Sequence, residues 1–437
     1  MSAPTLTPHR ITTLPGGLPL LLADRGGPAL LAARLVMPGG SSLDPRGGRG
    51  AHQLLAGTMT RGCGDLDADA LADLVEGAGA GLRCEAHEDA LVLALHCAAE
   101  DAGTLLPLLL AMVRRPQLDP HQIEIERDLN LQTLQRQRED PFQLAHDGLR
   151  HLLHGTGPYG HDPLGVEADL AELGPAELKP LVADLGSRGA VLVLCGEPPA
   201  GVESLLSDQL AATPWTTGSP EAAVAGWADT TPSEAAGERL ALLEQDTEQL
   251  VLMLGCATVP LGHPDSLALR LLQNHLGQGM SSRLFQVMRE ERGLAYDVGV
   301  HLPARRGPSP FVMHLSTSAD RAGEATACLL AEWRRLLEQP LSDAELALAL
   351  AKLRGQDAMG RQTCSQIAER LALLLSHGLP ADQAERKLEQ AAGLTPADLQ
   401  AAALRQLQAP RLSLVGPADA LREAERAWTG AQWASRS

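Results

Sequence analysis

The chain is 437 residues long, more than one compact core accommodates, and length alone implies two or more domains, two being the simplest count. Its apolar fraction of 44% comes almost wholly from Leu, Ala and Val, with aromatics at 2%, which points to aliphatic, helix-rich cores of a soluble globular class. A formal net charge of −18 argues against nucleic acid and anionic membrane as partners, because both need Lys and Arg to displace counterions, and leaves basic or neutral polypeptides open.

The opening segment MSAPTLTPHRITTLPGG lacks the apolar core of a signal peptide, and apolar runs such as Leu105 to Val113 are far too short to span a bilayer, so a cytoplasmic location is expected. The cysteines Cys63, Cys84, Cys97, Cys195, Cys256, Cys328 and Cys364 are scattered and contain no CxxC, the pattern of buried free thiols in a reducing compartment.

In chain order, strand-like alternation at Leu18 to Leu22 and Ala29 to Met37 leads into amphipathic helices, the first carrying Gly50-Ala-His52-Gln-Leu-Leu55-Ala56-Gly57. A strand near Val92 to Leu95 follows, and it could pair with an extended peptide by strand addition. Pro116-Gln-Leu-Asp-Pro opens a long helix, and Leu173-Gly-Pro-Ala-Glu-Leu178 then precedes the strand-like Val191 to Cys195 closed by Gly196. The second half repeats the plan at a nearly constant offset. Leu250 to Gly255 reads as a strand, Pro340-Leu-Ser-Asp-Ala opens a long helix, and Leu394-Thr-Pro-Ala-Asp-Leu399 precedes Leu412 to Val415 closed by Gly416. The chain therefore reads as two homologous domains, 1–212 and 238–430, joined by an Ala, Gly, Pro, Ser and Thr-rich linker, 213–237, and ending in a tail, 431–437. The predicted fold class is α+β, each domain a mainly antiparallel sheet with helices on one face.

The segment around His52, followed by Thr58-Met-Thr-Arg61-Gly62, resembles the inverted-motif zinc metallopeptidases, the family of pitrilysin, insulin-degrading enzyme and the mitochondrial processing peptidase, whose pattern here is A-H-x-x-E-H. In that pattern two imidazoles one helical turn apart grip zinc, and the Glu between them reaches the bound water. This chain keeps only His52; Leu55 and Ala56 replace the Glu and the second His. The family's third ligand, a Glu seven residues after another Glu in an E-R-x-x-x-x-x-E pattern, falls on Thr133 in Glu126-Arg127-Asp-Leu-Asn-Leu-Gln132-Thr133. A lone imidazole holds zinc too weakly for a structural or catalytic site. His146, His151, His154 and His161 do not follow a known ligand spacing, and Cys63 has no assignable base.

Leu276-Gly-Gln-Gly-Met-Ser-Ser-Arg283-Leu-Phe-Gln-Val-Met-Arg289-Glu-Glu-Arg-Gly293-Leu-Ala-Tyr296 is the most specific motif, similar almost residue for residue to the same family's G-x-G-M-S-S-R-L-F-x-x-L-R-E-x-x-G-L-A-Y. Gly157-Pro-Tyr159-Gly160 and Leu164-Gly165 match a further family segment, with Gly157 in place of a His. The resemblance implies a clamshell of two peptidase-like domains. It also implies that Arg289 and Tyr296 hold the substrate backbone and stabilise the carbonyl oxygen as it gains charge. Set against this, Arg289 could merely be salt-bridged to Glu290 or Glu291. The expectation is a chain that binds no cofactor itself and acts as the non-metal subunit of a heterodimeric peptidase, with zinc in a homologous partner and extended peptides as substrates. The alternative is a non-proteolytic structural or peptide-binding scaffold of the same fold.

Overall fold

The computed structural model describes residues 8–218 and 238–431; the expected linker falls outside the described residues from 219 onward, and the expected tail from 432. The first sheet is built from β1 (His9–Thr13), β2 (Pro19–Ala23), β3 (Leu30–Pro38), β4 (Gly81–Ala86), β5 (Ala90–Ala98) and β6 (Val191–Gly196), in the order β1-β2-β6-β3-β5-β4. The second is built from β7 (Leu240–Glu244), β8 (Gln249–Ala257), β9 (Asp297–His301), β10 (Pro310–Ser318) and β11 (Arg411–Gly416), in the order β7-β11-β8-β10-β9. Apart from the added β1, the two orders coincide, and each sheet has one parallel pair, β2 with β6 and β7 with β11, at the corresponding place. The repeat read from the sequence is thus a repeat of topology.

β6 (VLVLCG) is buried at every residue, and β3 (LLAARLVMP) at all but its first. Such unbroken apolar runs require cover on both faces. One face of the first sheet packs on helices of its own half, Ala51–Met59, Ala102–Arg114 and Val202–Ala212, through Leu20, Leu35, Leu54, Leu105 and Leu206. The other face is covered by helix Cys364–Ser376, whose Ile367, Ala368, Leu371 and Ala372 meet Leu21, Ala32, Val36, Val191, Val193 and Cys195. The second sheet shows the reciprocal arrangement: Ala145, Leu149 and Leu153 of helix Pro141–His154 cover Val251, Met253, Val312 and Val415. The sequence expectation of helices on one face is therefore corrected, since each sheet takes one more helix from the other half of the chain.

Both exchanged helices have firm starts. Thr363 and Gln366 form a reciprocal capping box, with Thr363 Oγ1 accepting from the Gln366 amide at 3.1 Å and Gln366 Oε1 from the Thr363 amide at 3.0 Å. Asp140 accepts from the Phe142 amide at 2.9 Å, with Pro141 at the first helical position. Two compact units result: the described residues of Met1–Leu134, His161–Asp229 and Asp357–Glu385, and those of Gln135–Gly160, Thr230–Gln356 and Arg386–Ser437.

Sheet order also corrects one functional expectation. β5, which contains Val92 to Leu95, pairs with β3 on one side and β4 on the other, so its backbone groups are already satisfied. An added peptide strand needs an edge, and on this side of the sheet the edge is β4.

Candidate functional site

Helix Ala51–Met59 begins at Gly50, whose φ of +101° is left-handed and whose absent Cβ leaves room for Leu164 O, 2.7 Å from where that atom would stand. Asp44, with a wholly buried side chain, organises this start. It accepts the Gly50 amide at 2.6 Å and the His52 amide at 3.0 Å, and it pairs with His52 Nδ1 at 2.7 Å and His161 Nε2 at 3.1 Å. Burial alone would push its carboxyl up, but hydrogen bonds from His161 and His52, the His52 charge and the Gly50 amide outweigh this and hold it below the usual carboxylate range.

The other three positions that the sequence resemblance matches to the family's base and metal ligands are Leu55, Ala56 and Thr133. Leu55 and Ala56 are fully buried in the aliphatic core beside Leu54 and Met59. The Thr133 hydroxyl donates to the Leu129 carbonyl of its own helix at 2.8 Å, while Glu126 takes Arg61 Nε at 2.6 Å. Among the described residues no group of three His, Cys, Asp or Glu side chains could hold a metal ion. Two hydrocarbon side chains and a hydroxyl turned back on its own helix do not fit zinc. His52 also lines a small cleft of about 90 Å³ together with Gly39, Leu91, Asp184 and Arg188.

The remaining histidines are not gathered into one site. His146 lies edge-on to His301 with centroids 6.0 Å apart, and His154 lies against Tyr159 and 3.3 Å from Arg305. Burial first, then cationic neighbours, holds each of the two to a pKa of about 3. His161, on Asp44, belongs to the other compact unit. Cys63 is buried, and that burial pushes its thiol up, the wrong direction for a nucleophile.

The second-half motif folds around a seven-residue π-helix, Phe285–Glu291. Its frame is structural. Arg283 makes a bidentate pair with the buried Glu332 at 2.9 and 2.8 Å, Gln286 Nε2 donates to the Met280 carbonyl at 2.6 Å, and Leu284, Met288, Leu294 and Ala295 enter the core. Arg289 and Tyr296 stand outside that frame. The Arg289 guanidinium is 5.5 Å from the Tyr296 ring centroid and 4.9 Å from that of Phe285, and its Nη1 donates to the Tyr296 carbonyl at 3.2 Å. Among the described residues Arg289 forms no ion pair with Glu290 or Glu291. Tyr296 is 84% exposed, although its amide donates to the Ser316 carbonyl at 3.3 Å and so joins it to β10.

The chain's other tyrosine differs. Tyr159 is 2% exposed, its hydroxyl accepts the Gly307 amide at 2.9 Å, and its ring lies under Arg305 at 4.6 Å. Tyr159 is a packing residue, whereas Tyr296 is displayed. Phe285 and Asp44 escaped the sequence reading. Phe285 lay inside the quoted motif, where the four-residue spacing to Arg289 was the available signal; Asp44 reaches two histidines 8 and 117 residues away and had no local signal.

Comparison with known proteins follows the same pattern. Residues 29–160 match the family model described as insulinase, peptidase family M16, and residues 186–353 match that of the peptidase M16 inactive domain. An uncharacterized zinc protease of Mycobacterium tuberculosis is 26% identical over 383 residues, 84% of each chain. Another, of Streptomyces coelicolor, is 23% identical over 423 residues, 93% of this chain and 89% of that one. Among solved structures, the peptidase M16 inactive domain from Pseudomonas fluorescens superposes with a TM-score of 0.84 at 23% identity, covering 94% of this chain and 98% of that one. A protease from Helicobacter pylori gives 0.83 at 16% identity, covering 94% and 100%. The two family models together span more than half of the chain, and this protein is a member of the M16, or insulinase, family of peptidases.

Proposed function

We propose that this chain is the non-metal subunit of a two-subunit peptidase, lending Arg289 and Tyr296 to a homologous partner that carries the zinc. The observation that carries the reading is the contrast between the two motif regions: Leu55 and Ala56 are sealed in the core, while Arg289 and Tyr296 are exposed and already in contact. A metal site lost by drift alone gives no reason for the second-half pair to remain displayed. The kinship of relatives named as zinc proteases supports a peptidase setting.

In this role the substrate is an extended peptide. Among the described residues one Arg289 donor is used, at the Tyr296 carbonyl, and a guanidinium has five, so the rest can meet backbone carbonyl oxygens. The Tyr296 hydroxyl adds a neutral donor beside them. Donors fixed before the reaction stabilise a carbonyl oxygen as it gains negative charge, because no reorganisation is needed at that moment. The rings of Phe285 and Tyr296 both lie within cation–π distance of the guanidinium and hold it in place.

The test is turnover by the complex purified with its natural partner. Arg289→Ala and Tyr296→Phe should each lower kcat by roughly a hundredfold, the scale of one lost donor to a developing oxyanion, while the subunits still co-elute. Unchanged turnover in both variants would sink the shared-site reading and favour a scaffold of the same fold.

A further inference from the structure

β6 ends at Cys195-Gly196, and helix Cys364–Ser376 begins against it. Cys195 is fully buried, Cys364 is partly exposed, and Cys364 packs against the same apolar cluster that contains Cys195. A Cβ built on Gly196 would come within 3.3 Å of Cys364 Sγ, so this sulfur rests directly on the strand backbone. The contact is fixed from both sides. The Thr363–Gln366 capping box sets the helix start, and Ile367, Ala368 and Leu371 are packed in one cluster with Val193 and Cys195.

We propose that Cys195 and Cys364 are an oxidative modification site, forming a reversible disulfide that ties a helix from the second half of the chain to an inner strand of the first sheet. This assignment is independent of the peptidase reading. The co-reactant is a low-molecular-weight disulfide, RSSR. Cys364 is the first thiol to react, because Cys195 is sealed. The Cys364 thiolate attacks one sulfur of RSSR, forming a Cys364–S–S–R bond and releasing RS⁻, which takes up the proton Cys364 gave away. Cys195 then loses its proton and attacks Cys364 Sγ; the S–SR bond breaks and a second RSH leaves. Two protein thiols are oxidised to one disulfide, and one RSSR is reduced to two RSH.

The second step sets the rate. Burial, and then the Cys364 thiol beside it, pushes the Cys195 thiol up to about 12, so little of it is thiolate at neutral pH. Formation is therefore slow and accelerates with rising pH. Once formed, the bridge closes a loop that contains β7, β8, β9 and β10, a large constraint on the unfolded chain.

The experiment uses the full-length chain incubated with glutathione disulfide, followed by thiol counting after denaturation, non-reducing peptide mapping and thermal melts with and without reductant. The expected result is a fall from seven thiols to five, a peptide pair joining Cys195 to Cys364, and a melting temperature a few degrees above the reduced form. Cys364→Ser, and separately Cys195→Ala, should abolish both the bridged peptide and the shift. Retention of all seven thiols, a bridge mapped to other cysteines, or a glutathione adduct that stops at Cys364 would overturn the proposal.

Discussion

The guanidinium of Arg289 lies 5.5 Å from the ring centroid of Tyr296 and donates to that residue's carbonyl at 3.2 Å, so two side chains seven positions apart present one surface. The π-helix Phe285–Glu291 and the antiparallel entry into β9 produce this juxtaposition, and the core residues Leu294 and Ala295 fix the turn between them. A wider helical turn at a functional position is a known device for re-aiming a side chain.

The Phe285 ring meets the same guanidinium, 4.9 Å from its centroid. Phe285→Leu keeps apolar bulk but removes the ring's negative face, and a cation–π contact at an exposed site contributes about 0.5–1 kcal/mol. The expected outcome is a two- to fivefold lower kcat/KM of the complex with little change in the denaturation midpoint of the chain. Restoration by Phe285→Tyr, measured in the same assay, separates positioning of Arg289 from general packing.

Asp44 gives His52 a structural role that needs no metal. Its carboxylate satisfies two amides at the start of helix Ala51–Met59 and anchors two imidazoles. Asp44→Ala leaves all four groups without this partner in a buried place and should destabilise the first unit by about 3 kcal/mol. Urea denaturation measures the loss, and the zinc content of the purified chain should be the same before and after the substitution.

Acid should weaken the fold through its buried histidines. Burial, then Arg305, Arg150 and Arg411, holds His154 at a pKa of about 3, and burial above all holds His275 at about 4. The unfolded chain takes up protons at these residues near the ordinary histidine value of about 6.5, so between that value and the folded ones the unfolded state binds more protons and stability rises with pH. The contribution is complete above about pH 6.5 and declines by roughly 1 kcal/mol per pH unit for each such histidine on acidification. Denaturant titrations across that window should show the decline, and His154→Gln should flatten it; a profile unchanged down to about pH 4 would contradict the assignment.

The sequence made the repeat legible because its markers are local and strong. Leu173-Gly-Pro-Ala-Glu-Leu178 and Leu394-Thr-Pro-Ala-Asp-Leu399 contain the starts of helices Pro175–Asp184 and Pro396–Gln406, and each leads to the corresponding inner strand, β6 or β11. The displayed pair Arg289 and Tyr296 was legible for the same reason, a dense motif with fixed spacing. The exchange of helices Pro141–His154 and Cys364–Ser376 was not. An amphipathic helix states that it has an apolar face but not which sheet will cover it, and the two sheets offer equally aliphatic surfaces. Strand position within a sheet was hidden likewise, which is why Val92 to Leu95 read as open to a peptide although β3 and β4 flank it. The Cys195–Cys364 contact was out of reach for a simpler reason: the residues come from opposite halves of the chain.

The most direct test of the divided site is zinc content and peptide cleavage, measured on the isolated chain and on the chain with its co-purifying partner. The account predicts about one zinc per pair and cleavage by the pair, with neither in the chain alone. Zinc bound stoichiometrically by the isolated chain, or chelator-resistant cleavage by it, would contradict the account.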